Sequence, residues 1–135
     1  MVLTIDLSSE VPIYQQLRDR IVEGIAAGHY RVGSALPSTR QLAADFGINF
    51  HTVSKAYELL RQEGLVRITR RQGAVIHRDP TTGPPEPIFA DAWEARARTV
   101  LAEAYAHGMR AEDILARCER ILAGFAAAES RSEGR

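Results

Sequence analysis

The chain has 135 residues, 45% of them hydrophobic and 25% charged, and its 17 Lys/Arg balance 17 Asp/Glu. That composition fits one ordinary domain, or a small domain with an appendage, and is too apolar for a disordered chain. A single cysteine, Cys118, excludes an intramolecular disulfide or a cysteine-based zinc site and reads as a small hydrophobe in a helix.

The zero net charge hides an asymmetry: residues 34–78 hold seven Lys/Arg against three Asp/Glu. A polyanion would have to sit there. No apolar run approaches the roughly 18 residues of a membrane span, and the N-terminus lacks a leader pattern. A cytoplasmic location with no membrane partner is expected.

In chain order, "VPIYQQLRDRIVEGIAAG" places Ile13, Leu17, Ile21 and Ile25 on one stripe. Pro12 suits its first turn and Gly28 its end, so a helix is predicted. In "YRVGSALPSTRQLAADFG", Ser38 is an N-cap and Gln41, three residues on, completes a capping box. Leu42, Ala43 and Phe46 face inward, and Gly47 closes this short second helix. Asn49 caps a third helix, with Ile48 and Val53 spaced to staple its start. Two short helices around a glycine are the pattern of a helix-turn-helix. The β-prone "LVRIT" and "AVIHR" flank a turn, "RRQG", and complete a winged helix.

The segment "DPTTGPPEP" (79–87), with four prolines, divides 1–78 from a second block at 88–128, and a disordered tail is expected at 129–135. The second block has two amphipathic helices. Phe89, Trp93, Val100, Leu101 and Tyr105 line the first; Ile114, Cys118, Ile121, Leu122 and Phe125 line the second. Two helices make too small a core to stand alone, and a second copy of the chain is the expected partner. The fold class is therefore α+β: an N-terminal winged helix-turn-helix followed by a two-helix dimerisation block.

On a wheel of about 100° per residue, Val53, Ala56, Tyr57 and Leu60 share one face of the third helix. His51, Lys55, Glu58 and Gln62 share the other, flanked by Thr52 and Ser54. A solvated outer face is the plain reading of such a pattern. Its place as second helix of the motif, its short polar first turn and the nearby arginines favour DNA instead. Arg40 would meet phosphate or reach a base edge, and Asn49, Thr52 and Ser54 suit phosphates. His51 and Lys55, the chain's only lysine, point at the groove floor, with guanine acceptors the target of Lys55. Arg70 and Arg71 at the wing tip would enter a minor groove. His29, His51, His77 and His107 show no metal-ligand spacing, and no nucleophile or phosphate-cradling motif occurs. Neither an enzyme nor a cofactor is expected.

The pattern "G..LPS.R.LA..FG.N..TV..AY..L...GL", over about 65 residues, closely resembles the winged-helix domain of the GntR family of bacterial transcription regulators. The short two-helix C-terminal block looks like the YtrA subfamily, which lacks a large effector domain. The resemblance implies a homodimer on a pseudo-palindromic operator, with an adjacent transporter operon under its control. It implies DNA contacts at Arg40, Phe50, His51, Thr52 and Lys55, with Gly73 nearing the minor groove; Ser38 and Gln72 are further candidate contacts. The wing departs from the family pattern: Arg71 stands at a glycine position and Gln72 at a basic one, implying a stiffer tip. Phe50 stands where a polar contact is usual, leaving two roles open: packing on a thymine methyl or stapling the turn. The rival reading is a winged helix that docks a protein through its C-terminal helices. A small-molecule effector, if one binds, is expected at the dimer interface or block junction, with Trp93 and Tyr105 as lining.

Overall fold

The stripe on the first helix buries as its spacing requires. In the computed structural model, which describes residues 3–133 and side chains to 128, α1 runs Ile13–Ala26 and buries Leu17, Ile21 and Ile25. α2 (Thr39–Phe46) and α3 (Phe50–Gln62) follow, then β1 (Val66–Thr69) and β2 (Gly73–Ile76), then α4 (Pro87–Ala106) and α5 (Ala111–Glu133). The backbone stays helical to Glu133, past the expected boundary at 128. The side chains of that predicted tail lie outside the described residues. The architecture is an α+β winged helix-turn-helix carrying two C-terminal helices.

Every fully buried large side chain (Leu17, Ile21, Leu42, Val53, Leu60, Val75 and Ile76) comes from α1 to β2. α3 is the hub: α1 and α2 pack on it, and β1 leaves from its end. Two polar ties fix it further. The Tyr57 hydroxyl donates to the Pro37 carbonyl at 2.7 Å, joining α3 to the loop before α2. Arg18 Nε donates to Glu63 Oε1 at 2.9 Å, joining α1 to the end of α3.

The wing is more firmly rooted than a bare hairpin. β1 and β2 pair antiparallel from Val66↔Ile76 to Thr69↔Gly73. Residues 33–36 lie along the other edge of β2: Ala35 bridges Val75, and the Leu36 amide donates to the Ala74 carbonyl. At the tip Gly73 takes a left-handed φ of 69° while Arg71 does not, so glycine is needed only at the end of the turn. The stiffness expected from Arg71 carries no backbone strain.

Buried phenols link this core to pH. Burial pushes the Tyr30 phenol up to about 12 and also raises Tyr57, with Tyr30 adding to the latter. A phenol whose folded pKa exceeds its unfolded value of about 10 contributes its full stability below pH 10. That contribution disappears as pH climbs from 10 toward 12. The urea midpoint is expected to fall across that window, and less steeply in Tyr30→Phe. The Tyr30 hydroxyl has no hydrogen-bond partner among the described residues, so this variant removes a titrating group without breaking a bond.

Among the described residues no helix is long and apolar enough to cross a membrane. The proline-rich segment is tethered to the first block. Asp79 Oδ2 accepts from the Val32 amide at 2.9 Å, its Oδ1 accepts from the Thr81 amide, and Arg78 donates to the Gly83 carbonyl. Thr81's hydroxyl, and then the Val32 amide, hold the Asp79 carboxyl below the usual range. Pro87 opens α4 at its first turn.

Candidate nucleic-acid interface

The site is built by the caps that start α2 and α3. Ser38 Oγ accepts from the Gln41 amide at 3.0 Å. The reciprocal half of the expected capping box, in which Gln41 Oε1 would accept from the Ser38 amide, is absent among the described residues: the Gln41 side chain turns along the helix, and its Nε2 donates to Asp45 Oδ1 at 2.8 Å. Asn49 Oδ1 accepts from the His51 amide at 2.8 Å, so its amide nitrogen remains free to face outward. Between the helices Gly47 adopts φ 65°, and the Ile48 amide returns to the Ala43 carbonyl. This left-handed closure sets the turn of the motif.

α3 divides as its sequence requires. Val53, Ala56, Tyr57 and Leu60 are buried; His51, Lys55, Glu58 and Gln62 are exposed, with Thr52 and Ser54 half-buried beside them. Arg70, Arg71, Gln72 and Gly73 are exposed at the wing tip. Arg40 stands exposed at the start of α2. The outward face of α3 and the N-terminal turn of α2 thus adjoin, and the hairpin that follows α3 carries the wing arginines.

Charge on this surface is unneutralised. Glu58 pairs with Arg61, whose hydrogen bonds hold its carboxyl below the usual range. Among the described residues no carboxylate lies within ion-pair reach of Arg40, Lys55, Arg67, Arg70 or Arg71. Free cations on the helix-turn-helix and the wing attract phosphate.

Three aromatic contacts add detail that spacing did not reveal. The Lys55 ammonium lies 4.0 Å from the centroid of the Tyr14 ring, a half-buried residue of α1. Lys55 is therefore steadied by a neighbouring helix rather than freely extended. Sequence reading missed Tyr14; an aromatic in the first turn of α1 was its only local signal. The Arg40 guanidinium lies 4.8 Å from the Phe50 centroid, and the Phe50 and His51 rings are 4.1 Å apart. Phe50 is half-buried and packs against the core.

The C-terminal helices present an apolar surface. Phe89, Trp93, Val100, Leu101 and Tyr105 of α4 are exposed, as are Leu115, Ile121 and Leu122 of α5. Ile114, Cys118 and Phe125 are half-buried. Phe125 reaches the first block, where it closes a concavity of about 280 Å³ with Leu3, Gly24 and Tyr30. Trp93 and Tyr105 do not line this concavity; both are exposed on α4. Among the described residues no group of three or more His, Cys, Asp or Glu is placed to hold a metal.

The profile described as "Bacterial regulatory proteins, gntR family" matches residues 13–76. The HTH-type transcriptional regulator Rv1152 of Mycobacterium tuberculosis is 36% identical over 80 residues, covering 58% of this chain and 66% of that protein. The HTH-type transcriptional repressor YtrA of Bacillus subtilis is 38% identical over 80 residues, covering 59% and 62%. The chain thus spans less than two thirds of the length of these curated relatives. Among solved structures, YtrA from Sulfolobus acidocaldarius, described as a GntR-family transcription factor, matches with TM-score 0.61 at 34% identity. That match covers 78% of this chain and 99% of that one. A Listeria monocytogenes protein described as a transcriptional antiterminator matches with TM-score 0.80 at 25% identity over 89% of each chain, a span that takes in the C-terminal helices. The named relatives are transcriptional regulators, not enzymes. Together with the winged helix-turn-helix and its two C-terminal helices, these likenesses establish that the chain belongs to the gntR family of bacterial regulatory proteins, in its YtrA subfamily.

Proposed function

We propose that the protein is a sequence-specific DNA-binding transcriptional regulator that acts as a homodimer, and as a repressor, on a pseudo-palindromic operator. Residues 1–78 bind DNA, 79–87 link, and 88–128 dimerise. The observation that carries the reading is the two-sided α3: its apolar side is buried, and its polar side stands exposed and carries Lys55, which, like Arg40 and the wing arginines, has no carboxylate partner among the described residues. In a dimer, two copies of α3 would enter successive major grooves about 34 Å apart, with Arg70 and Arg71 toward the flanking minor grooves. Repression and control of its own operon, with a transporter, rest on likeness to the B. subtilis protein named a repressor and on the subfamily resemblance.

Titrating the protein on the promoter of its own operon at rising salt tests this. The logarithm of affinity should fall linearly with the logarithm of salt, with slope about −0.9 for each phosphate neutralised. Sequence selection from a random DNA pool should yield a palindrome, and Lys55→Ala should change the preferred base at one position of each half-site. A flat salt response, or no enriched sequence, refutes the reading.

A further inference from the structure

We propose that Phe50, with Ala43 and Ile48, forms a receptor for the 5-methyl group of one thymine in each half-site. The inference rests on the DNA-binding reading above and specifies one base that it recognises.

A concavity of about 470 Å³ opens at the start of α3, lined by Arg40, Ala43, Ile48, Asn49, Phe50 and His51. Its wall is divided by chemistry. Ala43 is buried and Ile48 and Phe50 are half-buried, so their accessible atoms form an apolar floor. Arg40, Asn49 and His51 are exposed and place donors around the rim. Phe50 is held on its site: it packs on the core, with the Arg40 guanidinium 4.8 Å from its centroid and the His51 ring 4.1 Å away. An aromatic ring fixed in this way presents a permanent apolar contact and loses little freedom on binding.

What such a surface accepts follows from the chemistry of the major groove. Thymine is the one unmodified base that offers a methyl group there, beside acceptors that the rim donors can meet. A phosphate would leave the floor unused, and the edges of guanine or cytosine would bring polar groups against it. The recognised feature is the methyl group, so 5-methylcytosine at the same position should also fit the floor.

The test uses the full-length protein and the operator recovered by random-pool selection. Each thymine is replaced in turn by deoxyuridine, which removes only the methyl group. One thymine per half-site should lose about fourfold in affinity, the equivalent of one buried methyl group at ~0.8 kcal/mol. In Phe50→Ala that position should become indifferent to the substitution, and Phe50→Leu should keep part of the discrimination. Uniform tolerance of deoxyuridine overturns the proposal with the wild-type protein alone, whatever the variants do. A penalty that persists undiminished in Phe50→Ala also overturns it. Failure to recover any operator would instead refute DNA recognition itself.

Discussion

Replacing Trp93 and Leu101 together by glutamate is expected to convert the protein to a monomer and to lower operator affinity by about 10²–10⁴-fold, the range gained by joining two binding modules. Both side chains are exposed on α4, at 55% and 44%, within an apolar surface shared with Val100, Tyr105, Ile121 and Leu122. A surface of that kind is normally covered. A symmetric interface places each new charge twice in a dry contact, where an unpaired carboxylate costs several kcal/mol. Binding to a single half-site should change little, because every fully buried large side chain lies between α1 and β2. Light scattering separates the outcomes. A variant that remains dimeric with full operator affinity would show that these helices do not join the copies, and would favour docking of a different protein on this face.

The winged helix was legible because its signals are local. Period, caps and glycines acted within a few residues: Ser38 and Asn49 cap as expected, and Gly47 turns left-handed between the helices. The division of α3 into buried and exposed sides also followed from its wheel, and with it most of the candidate interface. What escaped were contacts between residues distant in sequence. Nothing in the spacing tells that Lys55 stacks on Tyr14, that Asp79 caps Val32, or that residues 33–36 run beside β2. Gln16 is a similar case. It reads as a polar residue beside the stripe, yet it is buried, with its amide bonded to Asp6 and Val11, tying the N-terminal segment to α1. The capping box failed for a related reason: the Gln41 side chain could turn back to the Ser38 amide or on to Asp45, and pattern alone does not rank the two. The apolar stripes of α4 and α5 were visible, but a stripe does not name its partner.

The same two-sidedness of α3 predicts that stability and recognition separate cleanly by residue. Leu60→Ala is expected to destabilise the first block by about 2–5 kcal/mol, since Leu60 is fully buried in the core cluster and its loss leaves a cavity there. For a core this small, with total stability on the order of 5–15 kcal/mol, that is a large fraction. Operator binding should fail at temperatures where the variant unfolds and recover in the cold, with the base preference unchanged. Lys55→Ala should do the reverse. Lys55 is exposed and its ring contact with Tyr14 is worth about 0.5–1 kcal/mol, so the urea midpoint should move little while the preferred base changes. Urea melts paired with random-pool selection on both variants read the two quantities separately. A Leu60→Ala protein with an altered base preference would mean that the buried side of α3 does more than hold the helix. A Lys55→Ala protein as unstable as Leu60→Ala would mean that the contact with Tyr14 belongs to the core.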